Sequence, residues 1–262
     1  MRASYTTCLL IVLSAHAIAK EAPDAQALMM KNFIAGKVSA FNGDVSMVLI
    51  NDQGQERVRK MAMWSKLKGG STDTEVMMRF GDPADIKGTG FLQIENSKAD
   101  DDIWVYLPAL GKTRRLVASN KRDSFFGTDF SYGDVLPPPV EKYTHRYLRN
   151  EAIDGVDCYV LESTPIDAET RAESGYSRKV EWLDASNYLE RKVEYYDLSA
   201  VLLKTQHAYD LQQVEPTKQR WISMRREMVN QQTGHKTIYK FERFALDQKL
   251  DESFFSTRNL ER

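Results

Sequence analysis

The chain has 262 residues, 36 of them basic and 37 acidic, for a formal charge of −1. With the two signs interleaved along the chain, that balance excludes a nucleic-acid footprint. Two cysteines in this length exclude a small disulfide-stapled fold and leave room for a large unstapled core.

The opening MRASYTTCLLIVLSAHAIAKEAPD places Arg2 before a short apolar run at 9–13 and a small-x-small site at Ala17, Ile18 and Ala19. That is the pattern of a secretory signal peptide, residues 1–19, cut after Ala19. Residues 20–262 are then expected to form one domain. The apolar run is too short to span a membrane. Cys8 precedes the run, where a lipidated cysteine would follow it, so the mature protein is read as soluble and unlipidated. Cys158 is then the only thiol left. It alternates with Tyr159 and Leu161 and reads as a buried structural residue.

Asp24, after Pro23, is a helix N-cap, and Leu28, Met29, Phe33 and Ile34 follow along one face, with Gly36 near the end. Strands dominate beyond it. Segment 41–50, the turn at Asn51 to Gly54 and segment 55–64 read as a hairpin. Segments 74–80 and 88–94 continue the alternation. Segment 103–107 is strongly aromatic, and 113–117 pairs back across a turn at Pro108. Pro137, Pro138 and Pro139 form a stiff connector. Segments 142–150, 156–164, 178–183, 188–196, 201–211, 219–230 and 236–244 resume the meander, broken by short turns such as Asp154-Gly155. Strands this regular predict a mainly β (α+β) protein with an antiparallel sheet of roughly ten strands, which must curl or split at that size.

Between Val117 and Pro137 lies a loop carrying Phe125, Phe126, Phe130 and Tyr132, spaced by Gly127 and Gly133. Loops are ordinarily polar, so one this aromatic covers or binds something apolar. Phe126 and Phe130 are expected to act as gate residues, with glycines freeing the backbone. Several strands present apolar residues on one face: Met78 and Phe80 with Val76, Trp104 with Tyr106, Trp182 with Val180, and Met224 with Ile222. The strand at 103–107 is apolar on both faces, so one face could pack under the N-terminal helix while the other lines a cavity. Ten methionines either fill the core or suit a surface that adapts to greasy ligands. The expected hydrophobic site is Met78, Phe80, Trp104, Tyr106, Phe125, Phe126, Phe130, Trp182 and Met224. Arg114, Arg115 and Arg122 flank the loop, as release residues over a pocket or as a solvated charged face. Asp100, Asp101 and Asp102 read as a solvated turn, since no glycine-punctuated calcium loop surrounds them.

No catalytic pattern emerges. His145, His207 and His235 lack the two-histidine helical spacing of a zinc protease, and there is no G-x-S-x-G elbow. No enzyme, cofactor or metal is expected.

The run from Asp102 to Arg115, DIWVYLPALGKTRR, resembles the D-x-W-x-Y-L-P-x-x-x-K-x-R-R signature of bacterial outer-membrane lipoprotein-sorting proteins, relatives of the periplasmic carrier LolA. FGTDFSYGD, from Phe126 to Asp134, is similar to their F-x-G-S-D-F-S-Y-E-D segment, departing at Thr128 and Gly133. Phe241-Glu242-Arg243-Phe244 and the LDESFF run from Leu250 resemble the closing strand and capping segment. The resemblance implies a curved, incomplete antiparallel β-barrel with an N-terminal helix and a short helical plug over its concave face. It also implies a monomeric periplasmic carrier for lipid or lipoprotein acyl chains, served by an inner-membrane exporter and an outer-membrane acceptor, with the lid arginine among Arg114, Arg115 and Arg122. An adaptor of an envelope exporter, or an enzyme acting on lipid or glycan, are the alternatives.

Overall fold

Asp24 starts the first element. Its carboxylate accepts the N–H groups of Gln26 and Ala27, and helix α1 runs Ala25–Ala35 to a cap at Gly36. Leu28 and Met29 are buried, with Phe33 partly so, against Val140, Leu161 and Leu183. The computed structural model describes residues 22–136, 139–247 and 249–262, so the expected leader, Pro137 and Pro138 lie outside the described residues.

The first strands are β1 (Ala40–Ile50), β2 (Glu56–Leu67), β3 (Thr74–Asp82), β4 (Gly90–Ile94), β5 (Asp102–Leu107) and β6 (Lys112–Leu116). After a crossing segment come β7 (Tyr143–Ile153), β8 (Val156–Pro165), β9 (Arg178–Asp184), β10 (Glu190–Tyr196), β11 (Leu202–Glu215), β12 (Arg220–Asn230) and β13 (Lys236–Leu246). All thirteen join one antiparallel sheet in the order β6-β5-β4-β3-β2-β1-β13-β12-β11-β10-β9-β8-β7. The expected antiparallel class holds, and the count exceeds the roughly ten expected. Each alternating segment is a separate strand, and the sheet accommodates them by curling without closing.

The curl follows from packing. Val105 on β5 and Val193 on β10 belong to one buried cluster. In a flat sheet, with strands about 4.8 Å apart, those two strands would stand about 38 Å apart. Residues as far apart in strand order as Met78 of β3 and Lys179 of β9 line one small cavity, so the sheet wraps around that space.

Strand order also fixes the aromatic loop. β6 and β7 are consecutive in the chain but lie at opposite edges of the sheet. The chain from Val117 to Lys142 must therefore travel from one edge to the other, and it does so across the concave face. Phe125 meets Phe91 of β4, edge to face at 5.5 Å. Farther along, helix α2 (Tyr132–Val135) is capped by Ser131, whose hydroxyl accepts the Asp134 N–H. This is the plug, and its aromatic residues face the core because the segment has sheet beneath it along its path.

The convex face is covered differently. Met77 and Leu92 pack under Phe255 and Leu260 of the C-terminal segment, which ends in helix α4 (Thr257–Leu260). Leu260 sits so close to β4 that a Cβ on Gly90 would lie 2.6 Å from its Cδ1. Cys158 is buried on this face beside Val160, Val180 and Trp182. Among the described residues, no helix is long and apolar enough to cross a membrane.

Candidate functional site

The concave face, the end of α1, the plug and helix α3 (Ala168–Ser174) enclose a cavity of about 320 Å³, within the range of small-molecule sites. One half is apolar: Phe41, Met47, Met63 and Met78 rise from the sheet, and Phe125 and Phe130 close over them. These methionines project inward because their neighbours in β1, β2 and β3 alternate to the other face. The other half is polar, lined by Tyr143, Tyr176, Lys179, Glu190 and Arg226.

Three polar residues pin the plug. Lys204 of β11 donates to the Asp129 carbonyl at 3.0 Å and to Asp134 Oδ2 at 2.6 Å. Tyr176 donates its hydroxyl to Asp134 Oδ1 at 2.9 Å. Thr237 of β13 accepts the Asp129 N–H and donates to its Oδ2 at 2.7 Å. Burial pushes the Tyr176 phenol well above its usual range, and the Asp134 charge adds to the shift.

A second polar chain lies near β7. His145 Nε2 faces the Val140 carbonyl at 3.0 Å and Nδ1 faces Ser163 Oγ at 2.7 Å, while Ser163 also bonds Glu181. Burial lowers the His145 pKa and raises that of Glu181. Ser163 Oγ donates to Glu181 Oε2 and is shared with the imidazole at Nδ1. Serine sits between acid and imidazole here, whereas a nucleophilic triad puts the imidazole between serine and acid.

At the other end, Arg59 of β2 lies beneath the plug's turn. Its Nη2 would be 3.6 Å from a Cβ on Gly127, and its buried Nη1 has no partner among the described residues. Burial lowers its pKa, opposed by the nearby Asp85 carboxylate. The turn above is strained: Phe126 has φ 48° and Gly127 φ 73°. Left-handed backbone costs a non-glycine residue about 1–2 kcal/mol. The Phe126 ring offsets this by packing at 4.8 Å on both Phe80 and Phe125.

The residues singled out from sequence are therefore divided. Met78, Phe125 and Phe130 line the cavity. Phe80 and Phe126 pack in the aromatic layer behind it, and Met224 is partly buried against the same cluster. Of the two residues expected to act as gates, Phe130 is buried and Phe126 is half-buried, both in the segment that crosses the sheet. Trp104 and Tyr106 do not reach the cavity. They lie on the convex face under Leu250, Phe254 and Leu260, and Ile103 and Val105 take the concave side. The C-terminal segment, not α1, covers that second apolar face. Trp182 is also convex, with the Lys192 ammonium 4.3 Å from its ring. Among the arginines, Arg115 is exposed and paired with Asp102, Arg114 is exposed on edge strand β6, and Arg122 lines a shallow surface depression beside Gly175. None lines the cavity. Arg59, Lys204 and Arg226 were missed, because a lone polar residue in a strand reads as outward-facing, and Tyr176 was missed because it stands in the connection before β9.

The same architecture occurs in solved structures. An outer membrane lipoprotein-sorting protein domain from Vibrio parahaemolyticus is 30% identical, with 91% of this chain and 98% of that chain covered at a TM-score of 0.83. This chain belongs to the outer-membrane lipoprotein-sorting protein family. A DUF1329 family protein from Desulfovibrio piger is 27% identical over 90% of this chain and 96% of its own, at a TM-score of 0.79. A LolA superfamily protein from Nitrosomonas europaea, at 24% identity and a TM-score of 0.68, shares the fold over 91% of this chain and all (100%) of its own. A family model described as "Uncharacterized protein" matches residues 72–262. No curated protein matches the chain. The motif at Asp102 to Arg115 that resembles the lipoprotein-sorting family builds β5, its turn and β6, an edge of the sheet and not the cavity wall.

Proposed function

We propose that the protein is a periplasmic carrier that shelters acyl chains of a lipid or lipoprotein in its cavity for transfer toward the outer membrane, with residues 1–19 as its cleaved leader and 20–262 as one binding domain. The observation that carries this is the cavity's construction. Its floor is a methionine-rich sheet face, and its roof is a separate chain segment held by a few polar pins. Unbranched, polarizable side chains accommodate differing greasy shapes. Burying ten methylenes contributes about 8 kcal/mol gross at about 0.8 each, before ordering costs. That suffices to hold a chain in water and still release it to a comparable apolar acceptor.

Arg59 is the residue we assign to opening. Its unpartnered Nη1 beneath the strained Phe126–Gly127 turn leaves a donor that gains a partner when the turn shifts. The membership in the lipoprotein-sorting family supports the same reading.

The test is organic extraction of protein purified from its host, with mass spectrometry of the extract, beside titration with a fluorescent fatty acid. A carrier releases lipid and binds the probe, and natural lipid displaces it. A folded protein that yields no lipid and binds no probe refutes the carrier and leaves the adaptor reading.

A further inference from the structure

Most cations around the cavity have a carboxylate partner. Lys37 pairs with Glu95 at 2.6 Å, Lys204 with Asp134 at 2.6 Å, Lys142 with Glu173 at 3.8 Å and Lys179 with Glu181 at 3.8 Å. Arg226 does not. It projects from β12 between Tyr239 of β13 and Ala208 of β11, and all three line the cavity. Its guanidinium makes no hydrogen bond or ion pair among the described residues. The small Ala208 side chain leaves space beside it, and the Tyr239 hydroxyl is engaged with Met63 Sδ at 3.3 Å. Glu190, an acidic wall residue in no ion pair among the described residues, has a 3.4 Å contact from Gln206 Nε2.

The charge of the wall points the same way. With the four pairs cancelled, Arg226 and Lys121 stand against Glu190 alone, a surplus of positive charge. Burial first, then the Glu181 charge, raises the Glu190 pKa, against Lys179 and Arg226, which lower it. Lys179 is held above its usual range: burial works against its charge, but Tyr143, Glu181 and Glu190 outweigh that. An unpaired guanidinium in a partly desolvated wall is a strong site for a bidentate anion.

We propose that Arg226 receives an anionic oxygen group, a carboxylate or a phosphate, at the head of an amphiphile whose chain lies along Met47, Met63 and Met78. The site is a specificity device. It selects amphiphiles with a charged head over neutral esters of the same chain length, and it sets which end of the ligand enters the polar half. This rests on the carrier reading.

The test uses the full mature chain and three probes with one chain length: hexadecanoate, hexadecyl phosphate and methyl hexadecanoate. Each displaces a neutral fluorescent hydrophobic reporter. The expected result is that at least one anion displaces the reporter about ten-fold or more better than the ester, the size of a charge-assisted hydrogen bond. Preference between the two anions distinguishes a fatty-acid from a phosphate head. Arg226→Gln should bring the anion-to-ester ratio toward unity, and Arg226→Lys should restore part of it. The wild-type ratio is decisive even if a variant folds poorly. Equal displacement by acid, phosphate and ester overturns the inference while leaving the carrier intact, as does an undiminished ratio in folded Arg226→Gln. Failure of the neutral reporter itself to bind overturns the carrier reading, and this inference with it.

Discussion

Asp134→Asn should release the plug before it unfolds the sheet. The carboxylate and the Lys204 ammonium lie 2.6 Å apart, with side chains 1% and 6% exposed. Asparagine retains an acceptor for Tyr176 but leaves Lys204 with only the Asp129 carbonyl. Breaking a buried pair from one side costs about 3–5 kcal/mol, because the surviving charge stays desolvated. The retained hydrogen bond puts the expected loss near 3 kcal/mol, about two decades in an opening equilibrium. The plug's own amides report it. Phe125 N–H bonds the Phe130 carbonyl at 2.8 Å and Tyr132 N–H bonds the Asp123 carbonyl at 3.0 Å. Their hydrogen-exchange protection should fall about a hundred-fold while β1, β2 and β13 keep theirs. Asp134→Leu with Lys204→Met removes both charges and should recover most of the loss. The reasoning is wrong if Asp134→Asn changes stability by less than about 0.5 kcal/mol, if protection falls equally in plug and sheet, or if the double variant is worse than the single.

Gly90→Ala would set a Cβ 2.6 Å from Leu260 Cδ1 and 2.9 Å from its carbonyl oxygen. Overpacking of this kind costs about 1–3 kcal/mol, and limited proteolysis should show the C-terminal segment detaching first. Phe130→Ala removes a buried core ring and should lower stability by about 3–5 kcal/mol in urea melts. Phe126→Gly should cost clearly less, since it relieves a left-handed residue while losing a half-buried ring. Glu190 has a folded pKa above its ordinary value of 4.5, raised first by burial and then by Glu181. Its contribution is therefore full below that ordinary value and is lost as pH rises through the folded one. Glu190→Gln should flatten this, so its melting temperature relative to wild type should rise between pH 5 and pH 8.

The strands were legible because a period of two survives even where both faces are buried. Every alternating segment, from 41–50 to 236–244, lies on one of the thirteen strands. Helix α1 was legible through Asp24, whose carboxylate makes the expected capping bonds. The aromatic loop announced that it covers or binds something apolar. What it covered could not be read, because that depends on β6 and β7 standing at opposite edges, a property of strand order and not of any local pattern. The faces of β5 were ambiguous for a related reason. Trp104 and Tyr106 are as apolar as Ile103, Val105 and Leu107, and the C-terminal segment decides between them. Arg226 stands beside Arg225, which pairs with Glu227. The alternation puts Arg226 on the face of Ile222 and Met224, but a charge there reads as a break in the apolar pattern, and its place in the cavity wall follows only from the register with β11 and β13.

The free edges give the arginines read as lid candidates a different physical role. An unpaired strand edge invites pairing with other chains, and natural sheets blunt it with charge. β6 carries Lys112, Arg114 and Arg115 at one edge, and β7 carries Arg146 and Arg149 at the other. Closing the barrel would bury those edges, and it would also trap the segment that runs from β6 to β7 over the concave face. Leaving the sheet open keeps the plug's two ends on separate edges, so the plug can lift without breaking any ladder hydrogen bond. The cost of opening is then set by the Asp134 and Asp129 pins and the aromatic layer, contacts of side chains and not of the sheet. A carrier needs that separation: a scaffold stable enough to persist in water, and a roof whose opening cost a passing membrane can match.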